Sequence, residues 1–474
     1  MLVKYISLLP ESILALSIVI LPLVKVFRTS QTAKTFATLT KFFLFATGLT
    51  GIIFYNLSFN AEIYVNSIYT TFFKSTIYAI LLLFSGAICR WFLNQNKASW
   101  RYYQYLMRIV LCASLAISSR HLGITLAALG GSIISTWEII WGEMDETAKI
   151  KLKGILVGHL LISIVLLTTA AILIGMHQEQ WLYKSLHQAC QSNALKMTDY
   201  IAITCLLAVL LSMLGSVPFH FSKLQVANDA PLPVVVISVL IIPLFSLAVI
   251  LEVVDIFSFA PWGQNMLITC GMLSLLFGAL GGEQERVTSI LENIGLYNIG
   301  AMLLIISGGS VLAISGGICY FMIYLIAMSG AYLCCYGIRS RGENLLLLSE
   351  WSGLSESKPY ISAALLIFCA SFIGLPPFSG LVGNLILIDS LLPQHTFIIL
   401  SFVMIMLVFM ARNIILLIKT IYDGKITRKY DRSDSTVYCG IMICIMLMIG
   451  IVSSPEHMMQ ELQSVIENMM QMRQ

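Results

Sequence analysis

The side chains in this sequence that could do chemistry are few and ionisable, and they sit inside apolar runs. His159 stands in Gly158-His-Leu-Leu-Ile, His220 follows Val217-Pro-Phe, Glu292 lies seven residues after Glu285, and Arg412 is the most interior cation. An ionisable group in hydrocarbon is costly, so each implies a partner, a cavity or a task. The task that suits such groups at depth is proton transfer, because burial poises them and a neighbouring charge can switch them. Each also has a plainer reading. His159 either relays protons or bonds a neighbouring helix carbonyl, and the second is the stronger expectation. Glu292 is either a buried proton site or an interfacial acid paired with Arg286. His220 either lines a water-filled cavity or ties down broken backbone. Arg412 is expected in a structural ion pair, and Lys74 and Lys419 are expected to snorkel.

Interrupted helices would position such groups. An apolar helix reaches Pro218 and stops, a short polar-aromatic segment follows, and the next apolar helix begins around Pro231. The event recurs at Gly374-Leu-Pro-Pro-Phe-Ser-Gly380, where Pro376 and Pro377 interrupt another apolar stretch. Unwound backbone at membrane depth gives polar groups and water a place. Two broken segments in corresponding halves point to an inverted repeat around a buried ion or substrate path.

Composition agrees. Of 474 residues, 58% are hydrophobic and only 11% charged, with mean hydropathy +0.88, against roughly 25% charged in a soluble domain. The apolar residues come in runs of about twenty, the length that crosses a bilayer. The expected fold class is an all-α polytopic membrane protein. A net charge of +4 without basic clusters or interleaved aromatics gives no sign of a nucleic-acid partner. The eleven cysteines show no CxxC or Cys/His ligand spacing, so they read as packing residues rather than a metal, cluster or disulfide framework. Gly-rich phosphate loops are absent. Leu9-Pro10-Glu11 interrupts the first apolar run and no basic region precedes it, so a span is expected there rather than a cleaved signal.

About fourteen transmembrane helices are expected, over 8–27, 36–57, 72–93, 101–119, 121–141, 152–175, 198–217, 231–251, 264–282, 289–308, 311–337, 360–392 (broken), 395–420 and 435–453. Alternate connections hold the cations: Arg28 and Lys34; Arg90, Lys97 and Arg101; Lys149, Lys151 and Lys153; Arg286; Arg339, Arg341 and Lys358; Lys425, Arg428, Lys429 and Arg432. The positive-inside rule then places both termini on the non-cytoplasmic side. The connections 176–197 and 421–434 and an amphipathic tail at 455–474 are too small to bury cores of their own.

Several motifs, in order along most of the chain, resemble the antiporter-like membrane subunits of respiratory complex I, and among them subunit N of bacterial NADH:quinone oxidoreductase. They are Leu8-Leu-Pro-Glu11, Val217-Pro-Phe-His220 with Ala230-Pro-Leu-Pro233, Gly353-Leu354 with Lys358-Pro359, and Ser371 to Gly380. The resemblance implies two inverted five-helix repeats, each containing a broken helix. The expected organisation is N-terminal helices over 1–100, repeats over 101–251 and 264–420, and a C-terminal helix and tail over 421–474. Glu292-Asn-Ile-Gly295 instead resembles hydrogenase-linked relatives, where subunit N has a Ser-Ser-Ile-x-His pattern.

The family's mechanism moves protons along buried ionisable residues. Here its glutamate in span five falls near Gly130, and its lysines in spans seven, eight and twelve fall on Met213, Pro243 and Asn384. The proline and glycine residues that shape the fold remain while the proton carriers do not, which suits a subunit retained for architecture. The resemblance therefore implies a membrane-arm subunit of a proton-translocating NADH:quinone oxidoreductase in a bacterial inner membrane. It would sit in the lipid bilayer among the other membrane and peripheral subunits. It would hold no redox centre, no NADH or quinone site and no catalytic residue of its own, the whole complex using NADH and quinone. The alternatives are an Mrp-type or hydrogenase-linked cation/proton antiporter subunit, and a non-pumping scaffold paralogue.

Overall fold

Apolar runs of span length fold as helices because in lipid the backbone must bond to itself. The computed structural model describes residues 8–27, 33–53, 59–60, 63–95, 100–176, 181–191, 196–258, 261–281, 285–391, 397–423 and 429–471. Among them, eleven helices are long and apolar enough to cross a bilayer, and two shorter apolar helices, Pro359–Ile373 and Gly380–Leu391, flank the second break. Leu9–Phe27 and Trp100–Ser118 have span length. The latter is less apolar because its first turns carry Arg101, three tyrosines and Gln104. Val311–Gly337 and Ser435–Ser453 begin and end where the apolar runs do. Two small hairpins, pairing Phe59–Asn60 with Val65–Asn66 and Arg339–Ser340 with Glu343–Asn344, add the few strands. Arg28, Lys97, Lys425 and Arg428 of the basic connections lie outside the described residues.

The chain divides into two compact units. The first comprises Met1–Leu214, Asp229–Gly263 and Val465–Gln474. Trp100–Ser118 packs between Leu9–Phe27 and Leu122–Glu143. The stretch Leu232–Val254 is buried throughout and contains a π-helical turn at Ile237–Ile241. Pro243 follows that turn and has no N–H to give the preceding one, so the wider turn accommodates it inside a continuous helix. Lys74 does not snorkel. It is 6% exposed and pairs with Glu11 at 2.5 Å, which also accepts from Ser114 Oγ at 2.7 Å, while Lys74 donates to Tyr64 Oη at 3.3 Å. A buried carboxylate within reach is a better partner than water that its stem cannot attain, and Glu11 belongs to the opening Leu-Leu-Pro-Glu motif. Arg108 and Glu138 form a second, half-exposed pair at 3.0 Å.

The second unit comprises Gly215–Asn228 and Gln264–Ser464. Its centre is Val311–Gly337, packed by Val287–Ile306, Pro359–Ile373, Gly380–Leu391 and Ser435–Ser453. Val287–Ile306 lies close against Pro261–Leu280. A side chain at Gly300 or Gly278 would meet backbone of the facing helix, so small residues set that separation. The connection after Val311–Gly337 is tied to the chain before Ser435: Arg339 pairs with Asp434 at 2.7 Å, and Lys358 donates to Ser433 Oγ at 2.8 Å and to the Asp431 carbonyl. Burial, with Arg339 nearby, holds the Lys358 ammonium below its ordinary pKa. Gly353 precedes the next short helix at φ +68°, which explains that motif's glycine.

Both breaks are built alike. Gly215 and Gly374 each end a helix at φ +83°, and each is followed by a cis peptide, Val217–Pro218 or Pro376–Pro377, and then by a phenylalanine. Positive φ after the last helical turn is a glycine position. The segment after Pro218 is itself a helix, His220–Asp229, and not an irregular polar stretch. Sequence alone hid it because its side chains are mixed in polarity and no apolar period marks it. At the second break Gly380 N–H donates to Ser371 Oγ at 3.1 Å and Asn384 Nδ2 donates to the Ile373 carbonyl at 3.1 Å. Asn384 therefore ties broken backbone where the resemblance implies a charge.

Two stability outcomes follow. Lys74→Met leaves Glu11 charged and buried and is expected to cost about 3–5 kcal/mol, read as earlier thermal unfolding in detergent. Adding Glu11→Leu is expected to return most of the loss, and an equal or larger loss in the double variant would contradict the pairing. Asn384→Leu is expected to cost about 1–3 kcal/mol by leaving the Ile373 carbonyl unsatisfied. An unchanged unfolding temperature would contradict the role of its amide.

Candidate functional site

The first break brings a buried lysine and a buried glutamate onto one docked pair of helices inside the second unit. The short His220–Asp229 helix has unsatisfied C-terminal carbonyls, as every helix does. The start of Val287–Ile306 satisfies them. Thr288 Oγ1 donates to the Ala227 carbonyl at 2.6 Å, Arg286 donates to the Asn228 carbonyl, and Ser289 donates to the Asn228 side chain. At the other end of the break, Val217 N–H donates to Ser274 Oγ at 3.0 Å. The broken segment is thus pinned at both ends to neighbouring helices of its unit.

That docking sets which side chains meet. Lys223 is one turn before Ala227 on the short helix, and Glu292 is one turn after Thr288 on the long one. Residues four apart share a helix face, so the bond between Thr288 and Ala227 brings Lys223 and Glu292 to the same seam. Both are buried, at 8% and 6% exposure, and their charges act on one another. The lysine folds back over Gly215. Its Nζ lies 2.8 Å from where a Cβ on that glycine would stand, so only glycine leaves it room. Glu292 Oε2 is buried without a hydrogen-bond partner.

A line of polar groups continues from the carboxylate. Glu292, Gly295 and Asn298 follow at helical spacing on Val287–Ile306. The Tyr324 hydroxyl lies 2.8 Å from where a Cβ on Gly295 would be. Tyr320 Oη donates to Asn298 Oδ1 at 3.0 Å, and the Tyr320 ring packs on Gly383, next to Asn384 of the second break. The hydroxyls of Tyr324 and Tyr332 are buried without hydrogen-bond partners. Chemically, the arrangement offers an amine and a carboxyl that can exchange a proton within one unit without exposing it to lipid, with buried phenols beside them.

The residues expected from sequence fall as follows. Glu292 is buried and faces the short helix; Arg286 turns instead to the Asn228 carbonyl, so the interfacial pairing does not form. His220 is 5% exposed, with its ring centroid 3.9 Å from that of Phe221 and 5.1 Å from that of Phe277, and its Nδ1 lacks a hydrogen-bond partner. Pro218, Pro376 and Pro377 form the breaks. His159 is half-buried on Glu146–Gly175 in the first unit and is not part of this constellation. Arg412 is exposed and forms no ion pair among the described residues. It lines a cleft of about 820 Å³ with Asn293, Asn413, Lys419, Glu285 and Asp423. Lys419 is exposed near the end of its helix, in keeping with snorkelling. Lys223 is the candidate residue that sequence reasoning passed over. The available signal was a cation lodged between two prolines of a broken span, where a surface position is hard to reach.

Comparisons with known proteins agree with this architecture. The family described as NADH:quinone oxidoreductase/Mrp antiporter, transmembrane, matches residues 139–410, more than half of the chain and both breaks. NADH-quinone oxidoreductase subunit N of Rhodospirillum rubrum is 24% identical over 246 residues, 51% of this chain and 50% of that protein. The subunit of the same name from Bartonella bacilliformis is 24% identical over 403 residues, 80% of each chain. The chain spans about half the length of the first relatives it matches. Among solved structures, a chain of respiratory complex I from Thermus thermophilus with bound aureothin superposes with TM-score 0.79 at 17% identity, covering 95% of this chain and 99% of that one. A chain of the Mrp complex from Dietzia sp. gives 0.82 at 14% identity, covering 97% of each. These structures show the fold; the family match shows the lineage. With its two broken helices inside the matched span, the chain is a multi-pass membrane protein that belongs to the NADH:quinone oxidoreductase/Mrp antiporter transmembrane family.

Proposed function

We propose that this chain is a membrane-arm subunit of a proton-translocating NADH:quinone oxidoreductase, working beside related subunits in a bacterial inner membrane. The observation that carries the reading is the similarity to NADH-quinone oxidoreductase subunit N along four fifths of both chains. The rest of the reading is consistent with it. Spans four to eight and nine to thirteen act as two inverted five-helix repeats around the breaks. The chain's own connections are short, so NADH oxidation and quinone reduction belong to other subunits, and this one contributes no redox centre. Its partners are the other membrane and peripheral subunits and the lipid around them. The distribution of cations puts both termini on the non-cytoplasmic side. A chain of an Mrp complex shares the fold, but the sequence relatives described above are NADH-quinone oxidoreductase subunit N proteins, which favours the complex subunit.

Affinity purification of the tagged chain from detergent-solubilised native membranes tests the reading. NADH:quinone oxidoreductase activity is expected to co-purify, and deletion of the chain is expected to reduce NADH-driven proton uptake by membrane vesicles. A chain that purifies free of NADH-oxidising subunits, from vesicles whose sodium/proton exchange depends on it, would contradict it.

A further inference from the structure

We propose that Lys223 and Glu292 carry the exchangeable proton of this chain, in the place of the lysine that the family holds in span seven. The inference rests on the reading above as a subunit of a proton-translocating complex, and names the residues that do the work within it. Three observations converge. The family's lysine position is Met213, and two residues along the chain Gly215 leaves open the space that the Lys223 ammonium fills. The lysine reaches that space from the far side of the break, because the short helix folds back against the start of Val287–Ile306. Glu292, which the subunit N pattern lacks at this position, supplies the opposing carboxylate. One of its oxygens, Oε2, is buried without a hydrogen-bond partner. The charge has moved from one side of the helix break to the other, and its counter-charge has appeared on the helix to which the break is pinned.

The step itself is a transfer without redox change. A proton passes from the Lys223 ammonium to the Glu292 carboxylate, leaving a neutral amine and a neutral acid. Release of that proton from Glu292 to water restores the carboxylate, and uptake of a proton from water on the side of the break restores the ammonium. The charged or titratable groups that face Glu292 are Lys223 from the short helix and Tyr324 and Tyr332 from Val311–Gly337. Arg286, on Glu292's own helix, is engaged with Asn228. Arg412 and Lys419, from Phe397–Tyr422, share a cleft with the adjacent Asn293. His220 lies three residues before Lys223 on the short helix, with its ring against Phe221 and Phe277.

The test uses the intact complex in sealed vesicles, with assembly of the chain verified for each variant. Lys223→Met and Glu292→Gln are each expected to slow NADH-driven proton uptake by about tenfold, less than the roughly hundredfold that a positioned proton-transfer group commonly contributes. Lys223→Arg keeps the charge and assembly but holds its proton too tightly to exchange it, so it is expected to assemble normally and also to pump poorly. The double variant Met213→Lys/Lys223→Met returns the ammonium to the family's position and is expected to regain uptake that Lys223→Met loses. Unchanged uptake in assembled Lys223→Met or Glu292→Gln would overturn the assignment. So would loss in Lys223→Met with full uptake in Lys223→Arg, since a fixed charge would then suffice. Infrared titration of the purified full chain is independent of complex membership. A protonated-carboxyl band that Glu292→Gln removes and Lys223→Gln shifts in pH supports the pair. Absence of such a band, or its indifference to Lys223, overturns the pair even if the chain proves to be a complex subunit.

Discussion

A charged side chain in hydrocarbon must find an opposite charge, a hydrogen-bonding cavity or a neutral state. That constraint governs the second unit. Lys223 is buried on the docked short helix, and Glu292 is held on a helix whose residues are buried along nearly its whole length. There each is the opposite charge that acts on the other. What makes them partners is backbone hydrogen bonding: Thr288, Arg286 and Ser289 satisfy the carbonyls that a ten-residue helix leaves open, and in doing so fix its face. Breaking a helix in a membrane thus creates both the need for external donors and the surface on which a charge can be placed.

The two breaks show how the same backbone device can be given different tasks. In both, a glycine at positive φ ends a helix before a cis proline and a phenylalanine. At the second, Asn384 spends its amide on the Ile373 carbonyl and Ser371 caps Gly380, so the polar groups close on one another. At the first, Ser274 takes the backbone N–H and the lysine remains for the carboxylate. One break is satisfied by neutral groups and the other carries charge. Asn384 and Met213, both uncharged where the resemblance implies lysine, therefore have different structural settings.

Much of the architecture was legible beforehand. Apolar length fixes where helices run, as at Val311–Gly337, and Gly-Pro combinations mark both breaks. The family emerged from those same residues, because glycine and proline positions are set by backbone geometry that few other residues satisfy. The site was less legible. Reading Met213, Pro243 and Asn384 as empty of charge suggested architecture alone, since a residue-by-residue comparison looks for a charge at its usual index. It does not register one that reaches the neighbouring space from ten residues further on. Lys74 was misjudged for a related reason: its distance from the helix start suggested snorkelling, whereas its partner Glu11 is remote in sequence. Pairing of buried charges is a tertiary property, and neither period nor composition encodes it.

The most direct test of this account is a high-resolution electron cryomicroscopy map of the intact assembly containing this chain. The account predicts the Lys223 ammonium and the Glu292 carboxylate in direct contact or bridged by a single ordered water, with Thr288 bonded to the Ala227 carbonyl beside them. A map in which Lys223 turns to the protein surface, or in which Glu292 pairs with Arg286, would contradict it.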